Sequence, residues 1–254
     1  MSAPSDEPIL RLENVSKSFF GFYAVRDFSL DVRRGSIHAL IGPNGAGKTT
    51  IFNLVTKTLP PTSGRISFKG IDITKRSPSE VARLGMVRSF QISAVFASLT
   101  ALENVRVALQ RFRSDGFAFW KSADVLHDLD ERALALLHDV GIESYAHVRA
   151  SELPYGRRRA LEIATTLALE PELLMLDEPT AGMGHEDVDR IAALIKNVAR
   201  ERTVLMVEHN LSIFADLSDR ITVLARGERL AEGSYDVVSK DPAGIEAYVG
   251  SEHE

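Results

Sequence analysis

Apolar positions recur along this chain with two periods. Ile9-Leu10-Arg11-Leu12-Glu13-Asn14-Val15 alternates like a half-buried strand, and Phe28 to Val32 does the same. Arg34-Gly35 makes a turn into Ser36-Ile37-His38-Ala39-Leu40-Ile41, which reads as a buried strand. The segment 49–57 reads as a helix, 60–64 as a loop and 65–68 as a short strand ending at Lys69-Gly70. A short helix is predicted at 81–84 and a strand at 86–90.

The texture then changes. Thr100 and Glu103 stand at capping-box spacing ahead of a helical pattern over 101–112. Residues 114–122 are aromatic and irregular and hold the single tryptophan, Trp120. A second amphipathic helix is predicted over 126–140. Helices at 157–169, 186–200 and 211–217 then alternate with apolar strands at 173–176, 203–207 and 221–224. Such alternation predicts a parallel sheet covered on both faces by helices, the α/β class. There is no internal repeat and no low-complexity segment.

Composition narrows the partners. The 254 residues suffice for a sizeable core, and 44% hydrophobic with 26% charged is ordinary for a globular chain. A net charge of −5 disfavours an electrostatic nucleic-acid binder. The absence of cysteine excludes disulfides and thiolate metal sites and suits a cytosolic setting. No apolar run approaches the roughly 18 residues that a membrane span needs. The polar, acidic stretch Met1 to Pro8 lacks the apolar core of a secretory signal. Any link to a membrane is therefore expected to go through a protein partner.

Between the strand ending at Ile41 and the helix predicted from Thr49 lies Gly42-Pro43-Asn44-Gly45-Ala46-Gly47-Lys48-Thr49, followed by Thr50. It fits the phosphate-cradling pattern G-x-x-x-x-G-K-[ST]. A match arises by chance in roughly one chain in a hundred, given ordinary glycine frequencies. A glycine-rich turn there aims backbone N–H groups at one point, and the positive helix end adds to them. Lys48 supplies a mobile positive charge, and the Thr49 hydroxyl can hold Mg²⁺.

Asp177 and Glu178 end the apolar run Leu173-Leu174-Met175-Leu176. Ligands in open α/β sheets sit beyond the carboxyl ends of strands. Asp177 suits Mg²⁺ and Glu178 suits activation of an attacking water, although a strand running out into polar loop would look the same. Val204 to Val207 is likewise followed by Glu208-His209, and His209 could donate to a γ-phosphate or be an ordinary histidine after a strand. Gln91 follows the predicted strand at 86–90, where its amide could meet Mg²⁺ and water or simply be a loop glutamine. Leu153-Pro154-Tyr155-Gly156 opens the helix beginning Arg157-Arg158-Arg159. Three arginines in a first turn oppose the helix dipole, which favours a nearby anion or acidic partners such as Glu152 and Glu162.

Taken in order over about residues 9–250, these motifs resemble the ATP-binding cassette (ABC) transporter ATPase family. The P-loop is similar to the Walker A motif, Gln91 to the Q-loop and Leu153 to Arg157 to the signature. Leu174 to Glu178 is similar to Walker B, Ala181 to Gly184 falls at the D-loop, and His209 falls at the switch histidine. Phe19 falls where the family stacks an aromatic ring on adenine, with Phe20, Phe22 and Tyr23 close by. The resemblance implies a P-loop NTPase fold. It would have a RecA-like nucleotide-binding core with an antiparallel β part (9–91 and 157–254) and a helical signature subdomain (92–156), in one domain spanning 1–254.

It also implies ATP and Mg²⁺ as ligands and ATP hydrolysis as the activity. Arg88-Ser89-Phe90-Gln91, Phe96 to Val105, Leu161-Glu162-Ile163 and the ending Ala247-Tyr248-Val249-Gly250 look like the branched-chain amino acid importer ATPases. Implied partners are transmembrane permease subunits, a second ATPase subunit in a head-to-tail homo- or heterodimer and, indirectly, a periplasmic solute-binding protein. The implied location is peripheral, at the cytoplasmic face of the inner membrane. The lipopolysaccharide-export ATPase is a similar alternative, and a weakly hydrolysing structural partner cassette is another. Three positions depart from the family pattern: Pro154 replaces the signature serine, Arg157 its glutamine and Gly184 the D-loop aspartate. A GTP switch is disfavoured by the lack of an Asn-Lys-x-Asp segment.

Overall fold

Strand alternation at the start of the chain continues beyond the point where its period breaks. In the computed structural model, which describes residues 7–89, 95–110, 129–208 and 217–241, β1 (Leu10–Phe19) and β2 (Phe22–Val32) form one antiparallel hairpin. The pattern predicts only 9–15 and 28–32 because bulges interrupt it. Asn14 and Asp27 take φ of 47° and 43°, and the pairing shifts register between Leu12/Val15 and Val15/Lys17. Each such shift exchanges the inward and outward faces. β4 (Ser63–Phe68) pairs with β1, and β5 (Ile71–Asp72) completes a four-stranded sheet in the order β2-β1-β4-β5.

The second sheet contains β3 (Ile37–Ile41), β6 (Met86–Ser89), β7 (Leu173–Asp177), β8 (Thr203–Glu208), β9 (Arg220–Ala225) and β10 (Glu228–Gly233). Their order is β10-β9-β3-β8-β7-β6, with β9, β3, β8 and β7 mutually parallel and β10 antiparallel at the edge. Every residue of β3, β7 and β8 is buried, as central parallel strands require. The parallel α/β core is therefore present, and β10 is an edge strand that the sequence pattern does not reveal.

Helix α1 (Lys48–Val55) lies between the two sheets. Its Ile51, Phe52, Leu54 and Val55 join one core with Leu12, Val25, Phe28 and Ile66 from the first sheet and Leu40, Met175, Leu205 and Val207 from the second. The phosphate loop is thus anchored to both. Helix α2 (Pro78–Arg83) starts earlier than its apolar residues suggest, because Ser77 and Glu80 close a capping box with proline in the first turn.

Among the described residues, those up to Arg88, those of Glu172–Pro179 and those from Ile195 onward form one compact unit. Ser89–Pro171 and Thr180–Leu194 form a second. The second unit packs α3 (Ala101–Leu109), α4 (Asp130–Asp139) and α5 (Tyr155–Leu167) against one another. The capping box at Thr100 forms: Glu103 N–H donates to Thr100 Oγ1 at 3.2 Å, and Thr100 N–H donates to Glu103 Oε2 at 2.8 Å. Buried Asn104 holds the preceding loop, accepting from Phe96 N–H at 2.7 Å and donating to the carbonyls of Phe96 and Thr100. Helix α6 (His185–Val198), the short α7 (Tyr235–Val238) and two 3₁₀ turns, Glu143–Tyr145 and Ala150–Glu152, complete the described elements. No described helix is long and apolar enough to cross a membrane. Gln91, His209, Trp120, the first residues of the helix predicted over 126–140 and nearly all of the helix predicted over 211–217 lie outside the described residues.

Candidate functional site

Helix α1 begins at Lys48, with Gly47 as its N-cap and no side chain capping it. The first turn holds no acidic residue. Its free N–H groups are therefore available to an anion. Gly42, Gly45 and Gly47 have φ of 153°, 78° and 104°, values at which a side chain is strained. The turn is also tight against its surroundings. A Cβ on Gly47 would stand 2.7 Å from the Ala24 carbonyl oxygen.

The loop is braced from two distant segments. Gly227, in the β9–β10 turn, donates its N–H to the Ala46 carbonyl at 2.9 Å, and its own carbonyl accepts from Arg26 N–H at 2.9 Å. Lys48 Nζ donates to the carbonyls of Gly42 and, at 3.0 Å, Pro43. The lysine is largely buried, which lowers its pKa, while the charges of Glu178, Glu208 and Asp177 oppose that shift. Three carboxylates thus help to keep this ammonium charged.

A cavity of about 760 Å³ opens over the loop, lined by residues 44–50, by Gly21 to Ala24 and Arg26, and by Glu178, Arg226 and Glu228. Its size lies in the range of ordinary small-molecule sites, roughly 300–1,000 Å³. Phe22 and Tyr23 line it, and Arg26 sits 5.1 Å from the Tyr23 ring centroid. Phe19 lies opposite Phe22 in the hairpin register, with Lys17 Nζ 5.1 Å from its ring centroid. Arg26, Arg226 and Glu228 carry no motif signal. They reach the cavity because β10 closes the sheet edge beside β2.

Asp177 and Glu178 take different places. Glu178 is half-buried, lines the cavity and has φ of 44°, with its N–H donated to the Val207 carbonyl at 3.0 Å. Such backbone strain in a non-glycine residue is typical of functional sites. Asp177 is 1% exposed and accepts from Arg88 Nη2. Arg88 Nη1 also donates to Asn53 Oδ1 of α1 at 2.6 Å. Glu208 is fully buried at the end of β8.

The donors suit Mg²⁺ in type. Thr49 is exposed and lines the cavity, and the Asp177 carboxylate is a hard oxygen ligand whose charge reaches Lys48 in the same loop. Among the described residues there is no cluster of three or more His, Cys, Asp and Glu residues. Mg²⁺ with a nucleotide typically uses one or two protein groups plus phosphates and water, so no all-protein cage is required.

The signature-like residues belong to the second unit. Pro154 is the N-cap of α5, so Tyr155 and Gly156 stand in its first turn, two residues ahead of the start that the pattern predicts. Tyr155 Oη donates to the Ala181 carbonyl at 3.0 Å. Gly156 lies against Asp187 so closely that a Cβ would meet its carboxylate at 2.6–2.8 Å. The three arginines have partners within their own unit. Arg157 donates to the Gly141 carbonyl, Arg158 to those of Ala150, Ser151 and Leu153, and Arg159 to Glu162. Their opposition to the helix dipole is thereby offset without an external anion.

A family profile described as ABC transporter matches residues 25–181. The high-affinity branched-chain amino acid transport ATP-binding protein BraF of Pseudomonas aeruginosa is 37% identical over 253 residues, covering 96% of this chain and 98% of BraF. LivG of Escherichia coli, with the same description, is 35% identical over 251 residues, covering 96% and 98%. Among solved structures, the ADP conformation of MJ1267, an ATP-binding cassette of an ABC transporter, superposes with a TM-score of 0.83 at 30% identity, covering 95% of this chain and 98% of that one. The dimeric structure of MJ0796, a bacterial ABC transporter cassette, gives 0.75 at 26% identity, covering 89% and 98%.

Proposed function

Because the chain belongs to the ABC transporter family and is one of its ATP-hydrolysing cassettes, we propose that it energises import of branched-chain or related amino acids. The observation that carries the site reading is the shared cavity in which the phosphate loop, its lysine and Glu178 meet. The substrate class is supported by BraF and LivG, which are described as branched-chain amino acid transport proteins and align over nearly their whole length.

The residues act as follows. The free backbone N–H groups at the start of α1, with Lys48, hold the phosphates, and Gly42, Pro43, Asn44, Gly45 and Ala46 shape the loop around them. An aromatic of the β1–β2 hairpin takes the adenine: Phe19 by family pattern, with Phe22 and Tyr23 already on the cavity wall. Glu178 polarises the attacking water, and Gln91 and His209 complete the catalytic set around the γ-phosphate. Thr49, Asp177 and Gln91 hold Mg²⁺, which when bound neutralises charge on the phosphates. Each residue thereby positions a group or stabilises charge, which is what phosphoryl transfer needs.

Leu153, Pro154, Tyr155 and Gly156 at the start of α5 serve the ATP of a second cassette. The dimeric relative MJ0796 supports such pairing. The partners are transmembrane permease subunits, with a solute-binding protein acting from the far side, and the cassette sits peripherally at the cytoplasmic face of the membrane. Pro154, Arg157 and Gly184 favour a heteromeric pair in which this chain's signature half serves the weaker site.

Glu178→Gln tests the catalytic assignment. It keeps the shape and loses the base, so nucleotide affinity should persist while turnover drops by roughly 10²–10⁴. Robust hydrolysis by this variant would remove Glu178 from the reaction. Copurification from membranes, followed by identification of the attached subunits and uptake of labelled leucine, tests the transport reading.

A further inference from the structure

Arg88 is the last residue but one of β6, yet it links two other elements. Its guanidinium donates through Nη2 to Asp177 at the end of β7 and through Nη1 to Asn53 in α1, at 2.6 Å. It also stands 5.5 Å from the Phe52 ring centroid. The pair is deeply buried, with side-chain exposures of 10% for Arg88 and 1% for Asp177.

A buried ion pair is poor evidence for stability, since desolvation consumes most of its attraction and apolar replacements often serve as well. The geometry suggests a different use. A guanidinium is a rigid planar fork, so bonding two acceptors at once fixes the direction of both. One acceptor is the carboxylate at the carboxyl end of β7. The other is on the helix that carries Lys48 and Thr49 in its first turn, one helical turn before Asn53. Arg88 therefore sets the placement of Asp177 relative to Thr49. Mg²⁺ tolerates little error in that placement, because it demands near-ideal octahedral geometry.

We propose that Arg88 and Asn53 form a positioning clamp that aims the Asp177 carboxylate and thereby sets the divalent-cation affinity of the nucleotide-bound protein. Neither clamp residue touches the reacting atoms. The proposal rests on the reading of Asp177 as a Mg²⁺ group.

The test uses Mn²⁺ as the probe, titrated by electron paramagnetic resonance into the full chain with a non-hydrolysable ATP analogue. Asn53→Ala removes the anchor at a half-buried helix position while leaving both charges in place. Arg88→Lys keeps the charge and loses the fork. Each should weaken Mn²⁺ binding by roughly tenfold, the scale of an outer-shell loss, and leave analogue affinity in EDTA within about twofold of wild type. Asp177→Asn, run alongside, should weaken Mn²⁺ binding at least as much. If Asp177→Asn has no effect, the metal reading itself fails. If it acts while Asn53→Ala and Arg88→Lys leave Mn²⁺ affinity unchanged, the clamp is refuted. A lowered melting temperature with unchanged Mn²⁺ affinity also refutes it, because that is the signature of a purely structural pair.

Discussion

His38 is expected to make this fold sensitive to acid at the strand that delivers the phosphate loop. It lies fully buried in β3, and its Nε2 is 2.8 Å from Thr222 Oγ1, while its Nδ1 meets no hydrogen-bond partner among the described residues. Burial pushes its pKa down from 6.5 to about 4; Glu232 opposes the shift, and Arg220 adds to it. Arg33 and Asp219 line the small cavity beside the ring, but Asp219 is committed to the Ile37 N–H and Arg220 to Glu232. Above pH 6.5 the ring is neutral in both folded and unfolded chains, so the full stability is present. As pH falls the unfolded chain takes up the proton first, and stability is lost between 6.5 and about 4. The fall from 6.5 to about 4 corresponds to about 3 kcal/mol in total, of which about 2 kcal/mol is already lost at pH 5. Urea unfolding of wild type and His38→Gln at pH 7.5 and pH 5 isolates this group, since all other titrations cancel in the difference. The variant should gain about 2 kcal/mol on wild type between the two conditions. A change in the gap of less than about 0.5 kcal/mol would refute the assignment of the acid response to His38.

Lys57 takes φ of 64° just after α1 ends, and its buried Nζ has no hydrogen-bond partner among the described residues. Lys57→Gly should therefore stabilise the protein by about 1 kcal/mol, read as a rise in melting temperature of roughly 2–4 °C; a fall would show that the lysine stem contributes more than its strain costs. Gly227 has φ of 81°, and a Cβ there would stand 2.6 Å from the Ala24 carbonyl oxygen. Gly227→Ala should push the turn off the Ala46 carbonyl and weaken binding of a fluorescent ADP analogue by roughly tenfold, and unchanged affinity would mean that the phosphate loop does not depend on this brace. A Cβ on Gly184 would meet no described atom within 4 Å, so Gly184→Asp fits without strain. If this chain forms a weak site, that variant should raise the ATPase rate of the purified protein several-fold, and no change would remove the basis for a specialised heteromeric partner.

What could be read from the sequence is what is contiguous in it. Ile37 to Thr50 and Leu173 to Glu178 each join a strand to the polar turn that follows it in one short stretch, so hydrophobic period and residue type sufficed to place them in the fold. The capping box at Thr100 was legible for the same reason, since both its hydrogen bonds close over three residues. The hairpin was legible only at its ends. Bulges at Asn14 and Asp27 shift the period by one, and the aromatic set near the cavity depends on that register.

Long-range partners follow a different rule. Arg88 and Asp177 are 89 residues apart, and Arg34 and Glu172 are 138 apart. Periodicity along one segment says nothing about which side chain will face it from another strand. The Gly227 brace has the same character: the turn between β9 and the edge strand β10 reaches the phosphate loop because β9 is hydrogen-bonded to β3. This division follows from the chemistry. Backbone amides that cradle a phosphate lie within one turn of a helix start, so each such set clusters in sequence. Groups that hold those contacts in register must span different strands, so they cannot cluster. Arg88, charged, nearly buried and bonded to both β7 and α1, is placed to hold such a register, and the Mn²⁺ titration of Asn53→Ala and Arg88→Lys decides whether that register matters to the cation.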